Sequence, residues 1–119
     1  VRVPPDNGPP PHVDYREDES FLVLKGEVTF NPGDRTVKCT AGSFIQGPRG
    51  IPHAFKNTGK TSARTLVYVT PPGLENFTKD LATPLPSFAS PPQPVTPMEI
   101  EKLLAVAPKY GIEILPPPK

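Results

Sequence analysis

Four residues of this chain, His12, Asp14, Glu19 and His53, carry side chains of the types that hold a transition metal. Two imidazoles with one or two carboxylates suit Fe(II), Mn(II), Ni(II) or Zn(II), and two histidines with one carboxylate and open positions are the donor set of non-haem iron oxygenases. Side chains two apart on a strand share a face, so His12 and Asp14 can aim at one point. Glu19 lies an odd number of residues beyond Asp14, so a bulge or loop must bring it round. Tyr15-Arg16-Glu17-Asp18 is polar enough to be that loop. His53 follows the tight Pro48-Arg49-Gly50 turn and can arrive from a neighbouring strand. By the same alternation, an inward Glu19 brings Phe21 and Val23 inward, and an inward His53 brings Phe55. Those apolar walls are the expected substrate contacts, suited to an aromatic or enolic small molecule in a largely dry pocket. For Phe21 and Phe55, plain core packing is the competing reading.

The elements that must position these residues are short β-rich runs cut by turn signals, the pattern of an all-β sandwich or barrel. Phe21-Leu22-Val23-Leu24 is a continuous apolar run of strand length, and Lys25-Gly26-Glu27 turns it into Val28-Thr29-Phe30. Asn31-Pro32-Gly33-Asp34 is a strong turn signal, with a returning strand expected over 35–40. Further strands are expected over 43–46, 53–55 and 64–69. Residues 74–81 predict a short helix. Thr96 as N-cap, Pro97 at the first helical position and Glu99 closing a capping box then predict a second helix. Ile100, Leu103, Leu104 and Ala107 give it one apolar stripe, and Pro108 and Gly111 end it.

The first group of residues (His12, Asp14, Glu19, Gly26) and the second (Gly42, Pro48, Gly50, His53, Asn57) keep the spacings of the two signature motifs of the cupin superfamily. Asp14 stands where the first motif usually has its second histidine; the second motif is matched throughout. Over about residues 10–72 the chain therefore resembles a cupin. The resemblance implies an antiparallel β-barrel of the jelly-roll type, here over 1–73. Residues 74–119 are expected to add the short helix, a proline-rich connector and a C-terminal helix packed on the barrel or on a dimer partner. It further implies one divalent transition metal (Fe, Mn, Ni or Zn) held by His12, Asp14, Glu19 and His53. Small cupins of this kind resemble quercetinase-like dioxygenases, in which an enolic or phenolic oxygen binds the metal. Glu19 is the expected catalytic residue, both ligand and proton acceptor. Asp14 either ligates or hydrogen-bonds a ligand histidine. The alternatives are a non-catalytic small-molecule-binding barrel and one half of a larger two-barrel protein. Gly26, Gly42, Gly50 and Pro48 are expected to serve backbone bends, and Asn57 to cap a loop.

Only eleven residues precede His12, where the resemblance implies two or more strands. An open sheet edge is therefore expected, covered by a partner's segment, and with it a homodimer. The remaining composition mostly excludes. With 13 basic and 12 acidic residues and a net charge of +1, there is no basic concentration for nucleic acid or an anionic membrane. No apolar run approaches the roughly 20 residues that span a bilayer. The single Cys39 can form no internal disulfide, and reads as a small apolar residue on a strand. With nothing demanding an oxidising compartment, the expected location is the cytoplasm. The 20 prolines gather mainly at 4–11, 84–97 and 116–118, which leaves the middle of the chain free to form a sheet.

Overall fold

A computed structural model describes residues 1–87, 90 and 95–116. Two antiparallel sheets face one another. The first orders its strands β1 (Arg2–Val3), β8 (Ala63–Thr70), β3 (Asp18–Lys25) and β6 (Phe44–Gly47). The second orders β5 (Val37–Cys39), β4 (Val28–Pro32), β7 (His53–Lys56), β2 (His12–Asp14) and β9 (Ile112–Ile114). This is the expected all-β, jelly-roll type of fold. Helix α1 (Leu74–Leu81) and helix α2 (Pro97–Val106) follow the last long strand, and a tight 3-10 turn (Ala107–Tyr110) leads into β9.

Local chemistry explains the elements. Along β3 the residues Glu19, Phe21 and Val23 are buried while their neighbours are not, the period of two that a strand with one covered face requires. Gly26 ends that strand at φ 85°, and a Cβ there would come within 2.9 Å of the Ala63 backbone, so only glycine fits this turn. Asn57 is fully buried. Its amide nitrogen donates to the carbonyls of Val3 and Thr61, each at 2.8 Å, and its Oδ1 accepts from the Gly59 N–H at 2.8 Å. The expected loop cap thus also ties β1 to the β7–β8 connection. On α2, Thr96 and Glu99 exchange both bonds of the capping box. The apolar stripe of α2 is covered only in part: Ala107, just past its end, is fully buried, while Ile100 and Leu104 stay about half exposed. The proline-rich connector falls partly outside the described residues.

One feature departs from expectation. The sheet edge beside β2 is taken by this chain's own residues Ile112–Ile114, not by a partner's segment. His12 pairs with Ile114, Val13 with Glu113 and Asp14 with Ile112. The ladder extends through Tyr15 N–H to the Gly111 carbonyl and Leu115 N–H to the Pro11 carbonyl, each 2.8 Å. Gly111, at φ 73°, makes the reversal into β9 possible, and a Cβ there would collide with the Arg16 side chain at 2.8 Å.

The interior is layered. At one end lie Val3, Val23, Val28, Cys39 and Ala63. Next comes a cluster of three rings, with Phe21–Phe30, Phe21–Phe55 and Phe30–Phe55 centroids at 5.0, 5.5 and 5.3 Å. At the other end the filling turns polar.

Candidate metal centre

His12 and Asp14 project from β2, His53 from the adjoining β7 and Glu19 from β3 of the facing sheet. The turn at 15–17 carries the chain from one sheet to the other, as the odd offset of Glu19 demands. One potential ligand atom from each of the four residues lies within 4.8 Å of the others. His12 Nε2 is 3.5 Å from Asp14 Oδ2. His53 Nε2 is 3.4 Å from Asp14 Oδ2 and 3.4 Å from Glu19 Oε2. The histidine rings stand 4.3 Å apart, centroid to centroid. Side-chain exposure is 12% for His12 but only 1% for Asp14, 9% for Glu19 and 4% for His53.

The hydrogen bonds around these groups decide what the cluster is missing. His12 Nδ1 is 2.8 Å from the Pro10 carbonyl, and His53 Nδ1 is 3.3 Å from the Ile51 carbonyl. A carbonyl only accepts, so in each neutral ring Nδ1 carries the proton and Nε2 presents a lone pair. Both lone pairs point toward carboxylate oxygens, and among the described residues neither oxygen of the buried Asp14 has a hydrogen-bond donor. With both rings in that tautomer, two lone pairs and the Asp14 carboxylate converge without a donor, and Glu19 has only His53 Nε2 at 3.4 Å, an arrangement that a cation relieves. Donors shared by one Fe, Mn, Ni or Zn ion, at about 2.0–2.2 Å each, lie about 3–3.5 Å apart; the three pairs through Asp14 and Glu19 at 3.4–3.5 Å have that spacing, and the whole set lies within 4.8 Å. Backbone carbonyls fixing the far nitrogen of each ring are the usual support of metal-binding histidines. The donor set fits a divalent transition metal.

Two pKa values respond to this crowding. Burial pulls the His12 imidazole down, but the neighbouring Asp14 carboxylate, the Pro10 carbonyl and the charge on Glu19 outweigh it, and the net shift is upward. Glu17, only 6% exposed, has an Oε2 without a partner. Burial first, and repulsion by Asp14 next, raise its carboxyl above the ordinary glutamate value, with Arg16 opposing. Glu17 is the residue the sequence reading missed, having been assigned to a polar loop. It shares the parity of Glu19 and Phe21, but within a polar run that offset does not announce burial.

The remaining expected contacts take distinct places. Phe21 belongs to the ring cluster and lies 6.2 Å from the His53 ring, centroid to centroid. Phe55 packs on the far side of Phe21, and Val23 is one layer further from the metal-binding end. Beside His53, a cavity of about 10 Å³ is bounded by Phe21, Phe30, Ile45 and Gly47, room for about one water molecule. A depression of about 460 Å³ is lined by Asn31, Arg35, Ala54 and Leu115 and also touches His53. It opens mainly on the opposite face of the sheet, where Asn31 and Ala54 form a register pair that alternates with the inward pair Phe30 and Phe55.

Two facing antiparallel sheets that pool two histidines and two carboxylates at one end of their shared interior describe a β-sandwich with a candidate metal site. The chain belongs to the cupin family: the family model for the cupin domain matches residues 1–69. Among solved structures, a predicted oxalate decarboxylase of Thermotoga maritima is 28% identical, with a TM-score of 0.55, over 57% of this chain and 59% of that one. A protein of Thermus thermophilus is likewise 28% identical, with a TM-score of 0.54, over 57% of this chain and 64% of that one. A cupin-superfamily sugar phosphate isomerase of Silicibacter pomeroyi shares the fold at 24% identity and a TM-score of 0.56, over 60% of this chain and 48% of that one. The chain thus aligns with about half to two thirds of the length of these proteins. No curated protein matches it.

Proposed function

We propose that the protein is a metal-dependent cupin. In this reading His12, Asp14, Glu19 and His53 hold one divalent transition metal, and the site performs dioxygenase-type oxidation of a small enolic or phenolic substrate. The observation that carries the metal is the convergence of four potential ligand atoms around a buried Asp14 carboxylate that has no donor among the described residues. When bound, such an ion supplies Lewis acidity and a template for an anionic oxygen. The chain's own residues do the rest. The Pro10 and Ile51 carbonyls hold the two rings in their ligating tautomer. Glu19, beside His53 and against the Phe21 layer, accepts the proton that an enolic or phenolic hydroxyl loses. The ring cluster keeps water from the inner side, and the approach from solvent is past His12, the most exposed of the four.

The test is elemental mass spectrometry on protein never exposed to chelator, repeated on His53→Ala, then oxygen uptake with phenolic and enolic substrates. Near one equivalent of metal, lost in the variant, together with substrate-dependent uptake is the expected result. A metal-free protein that refuses all four ions overturns the reading. The cavity of about 10 Å³ favours one second reading, a metal-holding barrel that binds a small ligand without turnover. Loaded protein that consumes no oxygen would establish it.

The assembly proposed with this function is a homodimer, formed by a sheet face instead of an edge. Each edge strand (β1, β5, β6 and β9) has at most four residues, too few for a strong intermolecular ladder. The outward face of the first sheet carries Leu24, Phe44, Leu66 and Tyr68, each between 43% and 62% exposed. Together they offer roughly 400 Å² of side-chain surface, most of the apolar part of a dimer interface that covers about 800 Å² per copy. Light scattering should give twice the 12.9 kDa chain mass for the parent and one chain mass for Phe44→Glu. A monomeric parent at micromolar concentration overturns it.

A further inference from the structure

The metal reading leaves open what kind of molecule the loaded site accepts, and the charges around it answer that. Two of the four donors are carboxylates. Asp14 and Glu19 together cancel the charge of a divalent ion, where a site with one carboxylate would keep a net positive charge. Neither carboxylate has its charge taken up elsewhere: both oxygens of Asp14 lack a donor, and Glu19 has only His53 at 3.4 Å. Close behind them lies a third carboxyl, Glu17, buried and with one oxygen unpartnered.

Of the cations that act on this group, Arg49 is paired with a carboxylate, while Arg16 is held by a backbone carbonyl that fixes its place without neutralising it. Arg49 Nη2 is 3.0 Å from Asp18, and its backbone N–H donates to the same carboxylate at 2.8 Å. Arg16 Nη1 donates to the Lys109 carbonyl at 3.1 Å. The charges acting on His12 are those of Asp14 and Glu19, both negative. The cavity beside His53 is bounded mainly by rings, aliphatic side chains and Gly47, with Gln46 as a neutral amide and no lysine or arginine among its lining residues. An anion entering here would lose its hydration and meet a centre with no net positive charge, in surroundings where that loss is expensive. A small neutral molecule loses little.

Resting on the metal-centre reading, we propose that Asp14 sets the ligand class of the site: the loaded protein admits small neutral ligands at its open position and discriminates against anions. The charge of Asp14, and not its size, makes the selection. An enolic or phenolic substrate must then arrive protonated and give up its proton inside the site, and free carboxylates and phosphates are poor ligands.

The experiment loads the full chain with Co(II) and with Fe(II) and uses two probes, azide as the anion and nitric oxide as the neutral molecule. Cobalt absorption reports azide binding, and electron paramagnetic resonance of the ferrous protein reports nitric oxide. Parent, Asp14→Asn and Asp14→His are compared; the asparagine keeps the size and removes the charge. The expected result is that the ferrous parent binds nitric oxide, while azide binds the cobalt parent about tenfold or more weakly than it binds either variant. Azide binding the parent as tightly as Asp14→Asn overturns the proposal, as does a ferrous parent closed to nitric oxide. Asp14→Asn decides between charge and size; should it fail to fold, Asp14→Ser, uncharged and no larger, takes its place. A parent that takes up neither metal fails the earlier reading, and this one with it. Metal uptake with equal azide affinities fails this one alone.

Discussion

The two ends of the interior are built on the same strands and filled in opposite ways. On β3 the inward residues run Glu19, Phe21, Val23, from polar to aromatic to aliphatic. On β7, His53 and Phe55 make the same change. The aliphatic and aromatic layers are satisfied by one another, since each ring meets another ring and each valine lies in the cluster. The polar end is not: among the described residues both oxygens of Asp14 and one of Glu17 lack a donor, against the single Thr65 hydroxyl beside Val23 at the other end. One end is finished by the protein, and the other, on the proposed reading, by a ligand.

This contrast can be broken in steps of decreasing size. Phe30→Ala removes a ring from the self-satisfied side and should destabilise the fold by about 3–5 kcal/mol. Urea unfolding should show the same loss in chelated and metal-loaded protein. Metal removal acts at the other end. With free metal at 100 to 1,000 times the dissociation constant, the loaded protein should be about 2.7–4.1 kcal/mol more stable than the chelated one. Thermal unfolding with and without chelator measures this, and His53→Ala should abolish the difference.

Asp14→Asn should pull the two states in opposite directions. At pH 8 the chelated variant should be about 1–2 kcal/mol more stable than the chelated parent. An amide supplies donors to the histidine lone pairs and removes an unpartnered buried charge. The same variant should hold metal less tightly. If the chelated variant is less stable than the chelated parent, the polar end is not the unfinished region described here.

The pH response should also differ in sign. The His12 pKa is raised in the folded protein, so its contribution to the chelated fold is fully present below the ordinary value of 6.5 and is lost as pH rises through the folded value. Chelated protein should therefore gain from His12 on going from pH 8 to pH 6. Loaded protein should lose stability over the same range, because protons compete with the metal for that imidazole. Parallel melts, with a His12→Gln control that removes the His12 part of each slope, check this. The smallest effect is expected away from both ends. Thr96→Ala should cost α2 about 1 kcal/mol, visible as faster amide exchange over 97–106 with metal content unchanged.

The strands that carry the site were legible because their signals are local. Alternation through Glu19, Phe21 and Val23 and turn residues at 31–34 each act over a few positions, as does the Thr96–Glu99 box. The donor set was legible for the same reason, each group lying at a fixed offset from a turn or a strand start. What escaped lacked a local signal. Ile112-Glu113-Ile114 is too short to show a period, and it becomes a strand only because β2, at the opposite end of the chain, offers an unpaired edge. Arg2–Val3 is shorter still and depends on Asn57 holding the Val3 carbonyl. Glu17 sits in a polar run that resembles any surface loop, and its burial comes from the crossing between sheets, which no residue nearby announces.

The strand β9 has a bearing on time as well as on shape. β2, which carries two of the four donors, meets β7 at one register pair and β9 at three, so it is held mainly by the segment after Gly111. While that segment is docked, an ion held as proposed would have to break its bonds with β2 fixed inside the sheet. When it lifts away, His12 and Asp14 would leave with a frayed edge. The residence time of such an ion would therefore be governed by how often Ile112–Ile114 let go, and trimming them would turn a slowly exchanging ion into a rapidly exchanging one.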